Sequence, residues 1–212
     1  MRPFSALFTA EKPVIGMVHL RALPGAPEYN GSMTEVIEAA LHDAHMLESG
    51  GVDGIMIENF FDAPFFKDRV GPETVAAMTR VITLLRQSVS LPLGVNVLRN
   101  DGMSALAIAA ACECQFVRVN LVSWAMLTDQ GIIEGRAAEL TRYRRTLGAE
   151  TLIFADCLVK HAVPLAAQNM ETVALDTWER GGADALVISG VATGRPTDQA
   201  DVLAARRGAP EA

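Results

Sequence analysis

Six apolar runs of strand length punctuate the chain, and each ends on polar side chains before a helix-like stretch begins. Val14–Leu20 closes at His19, Gly54–Phe60 carries Glu58 and Asn59, and Leu93–Asp101 ends in Asn96, Arg99, Asn100 and Asp101. Phe116–Trp124 carries Arg118 and Asn120, Leu152–His161 carries Asp156, Lys160 and His161, and Ala185–Gly194 carries Ser189, Gly190, Thr193 and Gly194. The runs recur at intervals of about 30–40 residues, the rhythm of parallel βα units, whose sites lie at the C-terminal ends of the strands. Near-continuous apolar character fits strands covered on both faces.

The intervening segments carry helix signals. Ser32-Met33-Thr34-Glu35 reads as a capping box, Val36, Ala39, Ala40, Ala44 and Leu47 form the apolar stripe behind it, and Gly50-Gly51 ends the helix. Pro72 stands one step inside a helix that runs to about Val89. Ser104–Ala111 predicts a small-residue helix, Thr128–Gly135 a loop, and Glu134–Leu147 a helix whose Arg136, Arg142, Arg144 and Arg145 read as solvated charges. Met170–Arg180 and Gln199–Arg207 predict the last two helices. Met17, Met33, Met46, Met56 and Met78 read as core fillers. The pattern predicts an α/β chain of six parallel βα units in one domain spanning residues 1–212, with no tandem repeat.

Composition narrows the function. Half of the 212 residues are hydrophobic, enough for a sizeable core. A net charge of −7 disfavours nucleic acid as a partner and weakens docking to anionic lipid. No run approaches the roughly 20 apolar residues of a membrane span, and Met1–Lys12 has no signal-peptide pattern, so the expected location is cytoplasmic. The three cysteines fit a reducing compartment. Cys112-Glu113-Cys114 has the wrong spacing for a zinc knuckle, and no metal site is expected. His42 and His45 lack an acidic partner pattern and read as surface or packing residues.

Asp156, Lys160 and His161 are the leading candidates for chemistry. A carboxylate, an ammonium and an imidazole within six positions of a buried strand point to a polar task, although a structural ion pair gives the same pattern. Asp156 reads as a general base or a metal ligand, Lys160 as a phosphate holder or Schiff-base former, and His161 as a proton shuttle. If water reaches the first two, their replacement costs binding more than stability. Glu58 is a candidate acid or base opposite Asp156, or else the partner of Arg118 or Arg99 in a salt bridge. His19, the lone polar residue of its run, is either catalytic or a satisfied core histidine. Asn59, Asn96, Arg99, Asp101, Arg118 and Asn120 read as groups that position a substrate or as an internal hydrogen-bond network. Ser189-Gly190 and Thr193-Gly194 fit a phosphate-binding turn or a plain strand-to-helix turn.

Several segments in order resemble the BtpA family, within the ribulose-phosphate-binding barrel type of (βα)8 TIM-barrel proteins. They are Lys12-Pro13-Val14-Ile15-Gly16-Met17-Val18-His19-Leu20, Leu23-Pro24-Gly25-Ala26-Pro27, Gly50-Gly51-Val52-Asp53-Gly54 and Ile57-Glu58-Asn59-Phe60. They continue through Leu93–Asp101, Phe116-Val117-Arg118-Val119-Asn120 and Ala155-Asp156-Cys157-Leu158-Val159-Lys160-His161-Ala162. Cys157 stands where the family more often has a β-branched residue. The resemblance implies a seventh and an eighth strand, so the expected architecture is an incomplete barrel of six units, whether a fragment, a truncated product or a chain completed by a partner such as a second copy. It also implies a small phosphorylated ligand, a sugar phosphate or nucleoside, handled by a lyase, isomerase or nucleosidase, with the cofactor unknown. The alternatives it implies are a non-enzymatic factor for photosystem I biogenesis, peripherally associated with membranes, and an inactive fragment.

Overall fold

The computed structural model describes residues 4–190 and 192–212; Met1, Arg2 and Pro3 of the N-terminal stretch lie outside the described residues. The strands in chain order are β1 (Ile15–His19), β2 (Gly54–Glu58), β3 (Leu93–Asn96), β4 (Phe116–Val119), β5 (Ala125–Thr128), β6 (Gly131–Glu134), β7 (Leu152–Cys157), β8 (Ala162–Pro164) and β9 (Ala185–Ile188). The helices are α1 (Met33–Ser49), α2 (Pro72–Ser88), α3 (Gly102–Ala111), α4 (Ala137–Thr146), α5 (Met170–Leu175) and α6 (Gln199–Gly208). Six strands pair in parallel in the order β1-β2-β3-β4-β7-β9, a sheet curled into a half-barrel with β1 and β9 at its edges.

Local chemistry sets the helix starts. The Ser32 side chain accepts the Glu35 N–H at 3.2 Å to cap α1, Asp101 caps α3 through the Ser104 N–H at 3.0 Å, and Asn169 caps α5 through the Thr172 N–H at 2.8 Å. Pro72 opens α2 where its missing N–H costs nothing. Side-chain alternation then divides each strand between two cores. Val18, Ile55, Ile57, Val95, Val117, Val119 and Ile153 face the helices and pack on Val36, Ala40, Met78, Ile82, Leu85 and Leu106. Met56, Phe116, Leu152 and Phe154 face the concave side with Phe8.

The N-terminal end of the concave side is filled by aromatic rings. Phe116 stacks on Phe154 at 4.8 Å, and Phe4 and Phe8 lean on them at 5.6 and 6.1 Å. Gly94 makes the room: a β-carbon there would lie 2.1 Å from the Phe116 ring. A row of polar side chains stands at the opposite, C-terminal end of the strands.

Several features depart from the sequence expectation. Thr128–Gly135 is not a loop: β5 and β6 form an antiparallel hairpin, extended by β8 into a separate three-stranded sheet. Its strands are only three or four residues long, too short for a periodic signal, and Gly131 at φ 104° supplies the turn. Met126 and Ile133 are buried against Leu121 and Val159, while Leu127, Ile132 and Val163 share one exposed cross-strand row. Arg144 is not a solvated charge: it is buried and ion-paired with Asp184, whose carboxylate also accepts the Ile153 N–H at 2.8 Å. Met46 is not a core filler, being 60% exposed, and Met17 faces the open concave side. α5 also continues as a π-helical turn over Asp176–Arg180.

All three cysteines are buried and free. Burial pushes the Cys114 and Cys157 thiols up to about 12 from an ordinary 9.0, with Cys112 reinforcing the first shift and the Thr177 hydrogen bond opposing the second. Between pH 9.0 and about 12 the native state therefore holds protons that the unfolded chain has released, so their contribution to stability is lost as pH rises through that window. Urea melts across it are expected to show a shallower decline for Cys114→Ala/Cys157→Ala than for the parent chain; an identical slope would show that these thiols do not contribute.

Among the described residues β1 and β9 each leave one side without a strand partner, and a cleft of about 860 Å3 lined by Ile15, Phe154, Leu186, Val187 and Ile188 opens beside them. Unpaired edges next to apolar surface template further strand pairing. Sedimentation velocity is expected to show concentration-dependent self-association, and a single monomer boundary at all concentrations would count against it.

Candidate functional site

Register builds the site. His19 stands opposite Glu58, Glu58 opposite Asn96, and Asn96 opposite Arg118, one polar row across β1 to β4 at their C-terminal ends. Asn120 follows β4, Asp156 stands near the end of β7, Lys160 and His161 lie in the loop after it, and Ser189 follows β9. A cavity of about 240 Å3 brings Glu58, Phe60, Arg99, Arg118, Asn120, Lys160, His161 and Thr193 together.

Glu58 is 5% exposed. One of its oxygens accepts a short hydrogen bond from the Asn96 amide, and the other lies 3.7 Å from His19 Nε2. His19 stacks on Phe60 at 4.3 Å, an aromatic wall not read as functional from sequence although it directly follows Glu58-Asn59. Glu58 pairs with neither Arg118 nor Arg99 among the described residues; it belongs to a carboxylate–imidazole pair that reaches solvent through His19.

Asp156 has a different environment. Arg118 Nε and Nη2 donate to its two oxygens at 2.8 and 2.9 Å, and Asn120 Nδ2 adds a third bond at 2.9 Å. At 1% exposure it does not meet water, so the expectation of a solvent-compensated Asp156 does not hold. Burial pulls the Arg118 guanidinium down, but the charge and hydrogen bonds of Asp156 outweigh it and leave Arg118 raised. Such a bidentate, charge-assisted pair is a rigid wall of the cavity.

Arg99 is 6% exposed and donates from Nη2 to the Lys160 carbonyl at 2.6 Å. Burial lowers its pKa, opposed by the charges of Asp129 and Asp156. Asp129, at the tip of the β5–β6 hairpin, escaped notice in the sequence because nothing there showed a hairpin reaching the mouth. Lys160 itself is half-buried. His161 Nε2 accepts the Thr193 N–H at 3.3 Å and meets Thr193 Oγ1 at 3.1 Å, which ties the loops after β7 and β9.

Other candidates hold the scaffold. Asn59 accepts the Leu98 N–H at 2.8 Å and donates to Asp62 at 3.0 Å, clamping the β2 loop to the β3 loop. Asp101 is taken up by its cap on α3 and by the Val70 N–H at 3.0 Å. At Gly190 the space of a side chain is filled by the carbonyls of Arg195 and Pro196, and Gly194, at φ 74°, faces open space. Among the described residues no group of three or more metal-ligating side chains occurs, and no helix is long and apolar enough to cross a membrane.

The model of the BtpA family matches residues 10–211. The photosystem I biogenesis protein BtpA of Synechocystis is 52% identical over 195 residues, covering 92% of this chain and 68% of that protein. An uncharacterized protein of Thermococcus kodakarensis is 55% identical over 187 residues, covering 88% of this chain and 70% of its own length. Among solved structures, the dihydropteroate synthase of Yersinia pestis aligns with a TM-score of 0.50 and 13% identity over 80% of this chain and 55% of that one, a likeness of fold in keeping with an incomplete (βα)8 barrel. With a family match over nearly its whole length and a relative sharing half its residues, the chain belongs to the BtpA family.

Proposed function

We propose that the chain binds a phosphorylated sugar or nucleoside in the mouth cavity and processes it by acid–base chemistry, in the manner of a lyase, isomerase or nucleosidase. The observation that carries this reading is that Glu58, 3.7 Å from His19, lines the same cavity as Arg99 and Lys160. Glu58 takes or gives the proton at the reacting carbon or oxygen, and His19, stacked on Phe60 and partly exposed, exchanges it with solvent. Arg99 and Lys160 hold the anionic end of the ligand, and Arg118 and Asn120, fixed by Asp156, orient its hydroxyls.

The test is a thermal-shift screen of phosphosugars and nucleosides against the parent chain and Glu58→Gln. A ligand at 100 times its dissociation constant adds about 2.7 kcal/mol. A ligand that shifts both proteins, with turnover lowered about 10²–10⁴-fold in Glu58→Gln, is the expected result. A panel that shifts neither would count against the reading.

The name of the Synechocystis relative favours a second reading, a non-enzymatic, peripherally membrane-associated factor for photosystem I biogenesis. In a photosynthetic host lacking its own copy, restoration of photosystem I by Glu58→Gln as fully as by the parent chain would select this reading over the enzymatic one.

A further inference from the structure

We infer that Arg99 and Asn120 form a recognition pair for a ligand carrying an oxyanion and a neighbouring hydroxyl, the guanidinium donating to the anion and the amide oxygen accepting a hydrogen bond from the hydroxyl. This rests on the reading above in placing the ligand in the mouth cavity, and it assigns the two ends of that ligand.

Arg99 differs from the chain's other largely buried arginines. Arg118 pairs with Asp156 and Arg144 with Asp184, whereas among the described residues no carboxylate forms an ion pair with Arg99. Its Nη2 is spent on the Lys160 carbonyl, and its Nε is buried with no acceptor. A buried cation with an unmade hydrogen bond is costly unless a ligand supplies the counter-charge. Asn120, 2% exposed, has the complementary defect: its Oδ1 is buried and accepts from nothing. Its orientation is not free. Asp156, gripped by both Arg118 nitrogens, is an acceptor only, so the amide must turn Nδ2 toward it and Oδ1 away. Both residues line the cavity, so the unpaired donor on a cation and the unpaired acceptor belong to side chains that a ligand there would touch. Sulfate, which has no hydroxyl proton at neutral pH, satisfies only the first, a neutral sugar only the second, and a hydroxylated phosphate or carboxylate satisfies both.

The experiment is calorimetric titration of the full chain with ribose 5-phosphate, gluconate, ribose and sulfate, repeated on Arg99→Met and Asn120→Leu, with melts of each free protein. The expected result is that ribose 5-phosphate or gluconate binds more tightly than ribose or sulfate alone. Arg99→Met should weaken that ligand at least tenfold and leave ribose unchanged, while Asn120→Leu should weaken it and leave sulfate unchanged. Free Arg99→Met should melt at or above the parent temperature, because an unpaired buried charge has been removed; a structural arginine would lower it. Tight binding that survives Arg99→Met, or a lowered melting temperature for that variant, overturns the pair and leaves the proposed function standing. Arg99-dependent binding of gluconate without ribose 5-phosphate upholds the pair and overturns the phosphorylated-ligand reading. Binding of neither overturns both.

Discussion

Replacing Asp156 with Asn is expected to lower the free energy of unfolding by about 3–5 kcal/mol. The carboxylate is 1% exposed and accepts three hydrogen bonds, two of them from Arg118, so its loss leaves a largely buried guanidinium without its ion-pair partner. Arg118→Met strands the carboxylate and should cost about as much. Arg118→Met/Asp156→Leu, which removes both charges, should cost less than either single change, because ion-pair attraction within a protein is largely offset by desolvation. Urea melts with m-values checked for two-state behaviour would measure all three. A loss below about 1 kcal/mol for Asp156→Asn would place the pair among solvated ion pairs and return Asp156 to the catalytic candidates.

Phe116→Ala should destabilise by about 3–5 kcal/mol through loss of apolar contact and an unfilled cavity. The ring is fully buried, stacked on Phe154, and fills the space above Gly94. Gly94→Ala acts through the same space from the other side, pushing a methyl group into the ring at a cost of about 1–3 kcal/mol. Because the two changes compensate, the double variant should be less destabilised than the sum of the singles. Additivity within about 0.5 kcal/mol would show that the ring moves aside without resistance.

The parallel strands were legible because each is an apolar run with its own polar end, and the His19–Glu58–Asn96–Arg118 row follows once neighbouring strands are parallel and in register. Pairings between distant residues were not. Arg118 finds Asp156 only because β4 and β7 are adjacent, and the intervening β5–β6 hairpin hides that adjacency in the sequence. Arg144 read as solvent-facing because Asp184 lies forty positions away. Asp101 carried two compatible signals, a strand-end carboxylate and a helix cap, and hydrogen bonding chose the second. Asn59 was visible as a polar strand end, but its role as a clamp between loops depends on the path of the chain from Leu98 to Asp62.

His19 ends one edge strand of the curled sheet, and Ser189 follows the other. The wall proposed to handle the proton is therefore separated from the β9 side by four intervening strands of the curled sheet. A ligand that draws these walls together favours states in which the edges are bridged. By thermodynamic reciprocity, whatever bridges β1 to β9 must raise ligand affinity by the same factor as the ligand raises the affinity of the bridge. Binding constants for this chain are then properties of the closed ensemble, and change with protein concentration wherever the bridge is a second molecule.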